Sequence, residues 1–132
     1  TKTPILIESN SQKSLEKLKE LCRILEVEFE EVDSKKRLHY HLAASFANNF
    51  TNHILSLTDE LVNKFKLEKK FFIPIANETF KKFQSNKSKE SQTGPAVRND
   101  VKTLKKHEEI LKKSNYLNLY KIITKSIKKN DL

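Results

Sequence analysis

Residues 34–65 read SKKRLHYHLAASFANNFTNHILSLTDELVNKF, thirty-two consecutive positions without a proline or a glycine. Within them Leu38, Leu42, Phe46, Phe50, Ile54, Leu57, Leu61 and Phe65 recur at steps of three and four, the repeat of one face of an α-helix. The pattern predicts a single helix beginning at Asp33 or Ser34 and ending near Phe65. At 1.5 Å per residue it would be about nine turns and roughly 48 Å long. So long a helix in a chain of 132 residues makes the expected fold mainly α, a long-helix bundle.

On its N-terminal side the chain reads differently. Ile5-Leu6-Ile7 is a short apolar run, Ser9-Asn10-Ser11 a cap-like cluster, and Leu15, Leu18, Cys22 and Leu25 follow at helical spacing. Val27-Glu28-Phe29-Glu30 then alternates as a strand does. This β-α-β unit has too few strands to form a stable sheet alone, so residues 1–33 are expected to be the end of a larger α/β domain and residues 34–132 a helical domain. Further along, Pro74 suits the first turn of a helix that buries Ala76, Phe80 and Phe83. Residues 84–91 read as a loop, and Thr93-Gly94-Pro95-Ala96 is a tight turn. Asn99 or Asp100 can cap a helix marked by Val101, Leu104, His107, Glu108 and Leu111. Ser114 or Asn115 can cap a last helix carrying Tyr116, Leu119, Tyr120, Ile123 and Ile127, with fraying from Lys128 onward.

Composition removes several functions. Gly94 is the only glycine, whereas a dinucleotide-binding G-x-G-x-x-G turn needs three and a Walker A loop two, because the backbone must approach phosphate with no Cβ in between. This chain by itself is therefore expected to bind neither NAD nor NADP. Its net charge is +9, from 26 basic and 17 acidic residues, and residues 101–132 alone carry +6. Such an excess could attract nucleic acid. Yet only three of the 26 cations are arginine, the side chain suited to phosphate and guanine recognition, so a lysine-rich solvated surface is preferred. No apolar run approaches the roughly 18 residues of a membrane span, and Thr1-Lys2-Thr3-Pro4 does not open a signal peptide. A lone Cys22 permits no internal disulfide, and a cytoplasmic location is expected.

The chemistry-bearing residues concentrate on the long helix. Stepping about 100° per residue from His41 places Ser45 near 40°, Asn48 near −20°, Asn52 near 20° and Asn49 near 80°, with Phe46 and Phe50 beyond about 140°. Imidazole, hydroxyl and carboxamides thus share one stripe, where a lysine-rich surface would show Lys and Glu. These groups suit a defined polar ligand, and Ala43, Ala44 and Ala47 beside them permit close approach. His41 is then the proton donor or acceptor, since imidazole titrates near ~6.5, while Asn48 and Asn49 orient a carbonyl or hydroxyl. The alternative is that Ser45, Asn48 and Asn49 hydrogen-bond a neighbouring helix or the backbone and His41 is a packed core histidine. A second candidate is Arg98, placed before a helix start whose free N–H groups also favour anions; pairing with Asp100 would account for it equally.

Other patterns fail. His107-Glu108-Glu109-Ile110-Leu111 lacks the second histidine of H-E-x-x-H. His39 and His41 point about 200° apart on a helix and cannot chelate one ion. Cys22, among leucines on an amphipathic helix, reads as a packing thiol, and no metal site is expected.

Tyr40-His41-Leu42-Ala43-Ala44-Ser45-Phe46-Ala47-Asn48-Asn49-Phe50, followed by Thr93-Gly94-Pro95-Ala96-Val97-Arg98-Asn99-Asp100 and then His107, resembles the C-terminal helical domain of a group of Rossmann-type NAD(P)-dependent oxidoreductases of unknown function. These are similar in architecture to the 6-phosphogluconate dehydrogenase superfamily, and the resemblance covers roughly residues 4–112. Gln92 stands where leucine is usual, and Asn99 where glycine is. The resemblance implies a helical domain that dimerises and closes over a nicotinamide cleft. It implies that His41, Asn48 and Asn49 face a small-molecule substrate, with Ser45, Asn52 and Arg98 contributing to its binding. NAD or NADP would be held by a preceding Rossmann domain, of which residues 1–33 are the last β-α-β remnant. Two other classes remain: a non-enzymatic helical dimerisation module, and a basic nucleic-acid-binding domain.

Overall fold

A computed structural model describes residues 3–85 and 87–129. The chain forms two compact units, residues 1–69 and 70–132, so the boundary at 33/34 falls inside the first, between the strands and the long helix.

In the first unit, β1 (Ile5–Ile7) and β2 (Phe29–Glu31) pair in parallel, with Ile5 opposite Phe29 and Ile7 opposite Glu31. Between them α1 (Gln12–Ile24) starts where the Ser11 hydroxyl accepts the Ser14 N–H. Ile7, Leu15 and Cys22 form the buried core, packed by Leu18, Val27 and Phe29. Cys22 is thus a packing thiol. The second strand starts two residues later than its alternation suggests because α1 closes on a Schellman motif. Glu26 takes φ +52°, its N–H bonds Arg23 O, and the Val27 N–H is drawn back to Cys22 O at 3.0 Å.

The long helix then runs without interruption, but not as one α-helix. It consists of α2 (Ser34–Ala44), a π turn (Ser45–Phe50) and α3 (Thr51–Lys64). Asp33 caps it by accepting the Lys36 N–H. A second Schellman closure ends it: Lys66 takes φ +53°, and the Leu67 N–H reaches Val62 O at 2.9 Å. Leu57 and Val62 are its buried residues.

In the second unit, α4 (Ile73–Gln84) carries Pro74 in its first turn, as expected. The expected burial of α4 is not found. Ala76 is half-buried, but Phe80 and Phe83 are exposed in this chain, because periodicity shows which face is apolar and not what covers it. The turn at Gly94, with φ +108°, leads through Ala96 to a third Schellman closure. Asn99 has φ +50°, and the Asp100 N–H bonds Pro95 O at 2.9 Å. Asp100 then caps α5 (Val101–Leu111), accepting from the Thr103 N–H at 3.0 Å and the Thr103 hydroxyl at 2.7 Å. Leu104 and Leu111 are the buried residues of α5. The last helix, α6 (Leu117–Lys129), folds back on α5. Three side-chain ties close the hairpin: His107 to Tyr120 at 2.9 Å, Lys121 to Glu108 at 3.4 Å, and Lys128 to Asn99 at 3.0 Å. Helix persists through Lys128 and Lys129, where fraying was expected; residues 130–132 lie outside the described residues.

Candidate functional site

The first turns of the long helix are fastened to the strand end by polar side chains. Ser34 Oγ donates to Glu8 Oε1 at 2.6 Å and Arg37 Nε to Glu8 Oε2 at 3.1 Å. The Glu30 carboxylate accepts from both the Lys36 ammonium and the Tyr40 hydroxyl. Lys36, then Tyr40, holds the Glu30 carboxyl below its ordinary range, and the same bond to Glu30 pushes the Tyr40 phenol up. Tyr40 is therefore engaged in positioning the helix, and its neighbour His41 is not. The His41 ring is exposed, with no hydrogen-bond partner among the described residues.

From Ser45 to Phe50 the helix widens into a π turn, a departure that occurs frequently at functional sites. Hydroxyls bond its two ends. Ser45 Oγ donates to His41 O at 3.0 Å, and Thr51 Oγ1 to Phe46 O at 2.9 Å, a back-bonding that favours local bending. A π turn holds one residue more than an α turn, so everything beyond it is turned back by about 100°.

That rotation changes the expected stripe. His41, Ser45, Asn48 and Asn49 precede or lie within the π turn and remain together. Ser45 is half-buried, and Asn48 and Asn49 are exposed, with Asn48 Nδ2 donating to Asn49 Oδ1 at 3.3 Å. Asn52 lies beyond the turn and swings about 100° off its unbroken-helix position, out of the stripe. His53, exposed like Asn52, comes instead to within about 20° of the direction of His41. Steps of three and four cannot reveal an inserted residue, so the sequence pattern held no signal for this substitution of one residue by the next.

Arg98 belongs to the second unit, where it is exposed. The Asp100 carboxyl beside it is held below its ordinary range, first by the Thr103 hydroxyl and backbone N–H and then by the nearby charges of Arg98 and His107. The cap and Arg98 thus share one electrostatic neighbourhood with the pair His107 and Tyr120. His107 Nδ1 and the Tyr120 hydroxyl are 2.9 Å apart, with the rings edge to face at 5.8 Å. The sequence signal for His107 is its place on the side marked by Val101, Leu104, Glu108 and Leu111; Tyr120 lies thirteen residues further on and is brought in by the hairpin.

Among the described residues no group of three His, Cys, Asp or Glu side chains could hold a metal ion, and no helix is long and apolar enough to cross a membrane. The connection from β1 to α1 does not fit the pyrophosphate of a dinucleotide. The connection from β1 to α1 is Glu8-Ser9-Asn10-Ser11, without glycine; its hydroxyls are used in capping, and the Glu8 carboxylate at its start would repel a pyrophosphate.

A β-α-β end joined to a long helix with a π turn and followed by a helical hairpin defines a recognisable class. The chain belongs to the family described as a domain of unknown function, DUF2520, whose model matches residues 3–127. Among solved structures it is similar to the crystal structure of putative NADP oxidoreductase BF3122 from Bacteroides fragilis, with a TM-score of 0.90 and 34% identity. That likeness covers 96% of this chain and 49% of the other, so the chain spans about half the length of that protein. No curated protein matches it. Both matches agree with the resemblance carried by residues 40–50 and 93–100.

Proposed function

We propose that this chain is the substrate-binding and dimerisation domain of an NADP-dependent oxidoreductase, with residues 1–33 completing a cofactor-binding domain supplied by preceding sequence. The observation that carries the reading is the match, at 34% identity and a TM-score of 0.90, to half of a protein described as a putative NADP oxidoreductase. The absence of a glycine loop in a chain that covers only that half fits the same division. When bound in the longer protein, the cofactor supplies a hydride. The residues here do the rest: His41 gives a proton to, or takes one from, the reacting oxygen or nitrogen, and Asn48 and Asn49 orient that atom. Ser45 supports the substrate, and His53 replaces Asn52 as its further contact along the stripe. Arg98, in the second unit, presents a guanidinium suited by itself to a carboxylate or phosphate.

The isolated chain is expected to bind no NADPH by calorimetry; saturable tight binding would refute the division. In the longer protein, His41→Ala is expected to lower turnover by roughly 10²- to 10⁴-fold, the usual worth of a general acid or base. Unchanged turnover would remove His41 from the chemistry. A second reading, a helical dimerisation module without catalysis, is favoured by the large apolar faces of the long helix and α4. It predicts that the longer protein binds no nicotinamide cofactor either.

A further inference from the structure

We propose that Glu8 and Glu30 are positioning residues for His41: each carboxylate clasps two side chains in the first two turns of the long helix, and together they fix its rotation so that the His41 stripe stands over the carboxyl end of β1. The inference deepens the oxidoreductase reading and rests on it. It starts from the junction between strand and helix, which contains no linker. β2 ends at Glu31 and α2 begins at Ser34. Of the two residues between them, Val32 is buried and its N–H bonds Ile7 O at 3.0 Å, while Asp33 caps the helix.

Both oxygens of both carboxylates are used. Glu8, the residue after β1, accepts from Ser34 Oγ on Oε1 and from Arg37 Nε on Oε2. Glu30, within β2, accepts from the Lys36 ammonium on Oε1 and from the Tyr40 hydroxyl on Oε2. Counted from His41 at about 100° per residue, Ser34 lies near 20° and Arg37 near −40°, whereas Lys36 lies near −140° and Tyr40 near −100°. The two grips thus hold the helix from directions about 110° apart. One grip alone would let the helix roll about its axis; two so placed do not.

The first grip falls on the polar stripe itself. Ser34 and Arg37 are within about 40° of the direction of His41, and Arg37 is one turn below it, about 6 Å along the axis. The stripe of His41, Ser45 and Asn48 therefore continues down to Glu8, the first residue beyond the carboxyl end of β1. Parallel strands of α/β sheets hold their ligands outside that end, so the clasp sets the imidazole at a fixed height and angle above the edge where the reaction belongs. The ion pairs themselves are open to water: the Arg37 and Glu8 side chains are 44% and 32% exposed, and those of Lys36 and Glu30 53% and 43%. Exposed pairs add little to stability, so what these supply is geometry. Misplacement by about 1 Å is enough to cost a reaction roughly 10²-fold.

Two measurements test this. In the 132-residue chain, backbone residual dipolar couplings read the orientation of α2 relative to α1 without any substrate. Wild type is expected to fit both helices to one alignment tensor. The double variant Glu8→Ala and Glu30→Ala is expected to need a separate tensor for each, with helix content by circular dichroism unchanged. In the longer protein, NADPH oxidation is followed with the most active carbonyl compound of a panel. Tyr40→Phe and Arg37→Ala are each expected to lower kcat by roughly 10-fold or more, with KM and NADPH affinity within about twofold of wild type, and Arg37→Lys to recover part of the loss. Lys19→Ala, which removes the 3.0 Å ion pair from α1 to Glu31 but leaves both grips in place, keeps the wild-type kcat. A double variant that fits one tensor, a loss confined to KM, or full kcat in Tyr40→Phe and Arg37→Ala beside an impaired His41→Ala would overturn the proposal and leave the oxidoreductase reading standing. Full turnover in His41→Ala would overturn both.

Discussion

Lys66→Gly should make this protein more stable, against the ordinary expectation that glycine weakens a fold. Lys66 closes the long helix at φ +53°, with its own N–H on Asn63 O at 3.2 Å and the next N–H on Val62 O at 2.9 Å. That position is usually glycine, since a side chain in the left-handed region costs about 1–2 kcal/mol. Glycine removes this cost but gives the unfolded chain more freedom, which returns about 0.4–1 kcal/mol. The net expectation is a gain of about 0.5–1 kcal/mol. The lysine side chain is exposed and makes no hydrogen bond or ion pair among the described residues that its removal would cost. Gly94→Ala supplies the opposite sign. A Cβ there meets nothing within 4 Å, but φ is +108°, outside even the left-handed region, so a loss of about 1–3 kcal/mol is expected from backbone strain alone. Urea unfolding at one fixed protein concentration measures both. A destabilised Lys66→Gly, or a neutral Gly94→Ala, would show that these turns are not held as described.

Three further outcomes follow from the packing and the charges. Leu104→Ala, at a buried position of α5, should cost about 2–5 kcal/mol, read as a lowered urea midpoint in far-ultraviolet dichroism. Tyr120→Phe should cost about 1 kcal/mol through loss of the bond to His107; an unchanged midpoint would mean that the pair does not tie α6 to α5. The lowered carboxyls of Glu30 and Asp100 contribute stability that is present above the carboxylate pKa of the unfolded chain and disappears as pH falls through their folded values. Thr103→Ala should therefore move the Asp100 titration seen by carboxyl NMR upward and shrink the acid loss of stability, and an unmoved titration would contradict the assigned cause.

Much of the backbone was legible in the sequence because local rules govern it. Asp33, Asp100 and Ser11 are the side chains that caps require, Pro74 sits where a first turn tolerates it, and among the described residues the Thr93-Gly94-Pro95 turn is the one place where φ exceeds what a side chain accepts. The scarcity of glycine hid as much as it revealed. Glu26 and Lys66 occupy left-handed helix ends that glycine would ordinarily mark, so these two chain reversals carried no signal, whereas Asn99 is a residue such a turn accepts. The π turn was hidden for a different reason, since hydrophobic steps of three and four persist across an inserted residue. As a result periodicity does not show that the direction of the polar stripe passes from Asn52 to His53 beyond Phe50. Periodicity identified the apolar faces at Phe46 and Phe80 but is silent on which chain covers them, and Tyr120 reaches His107 only through a hairpin that no local pattern encodes.

The central claim is that the stripe beginning at His41 serves a reaction whose cofactor is held by the other half of a longer protein. The most direct test is to compare that longer protein with its His41→Ala variant, following NADPH binding by calorimetry and NADPH oxidation spectrophotometrically with a panel of small carbonyl compounds and imines. The account predicts equal NADPH affinity in the two proteins and oxidation that falls by roughly 10²-fold or more in the variant. Equal oxidation rates, or a longer protein that binds no NADPH, would contradict it.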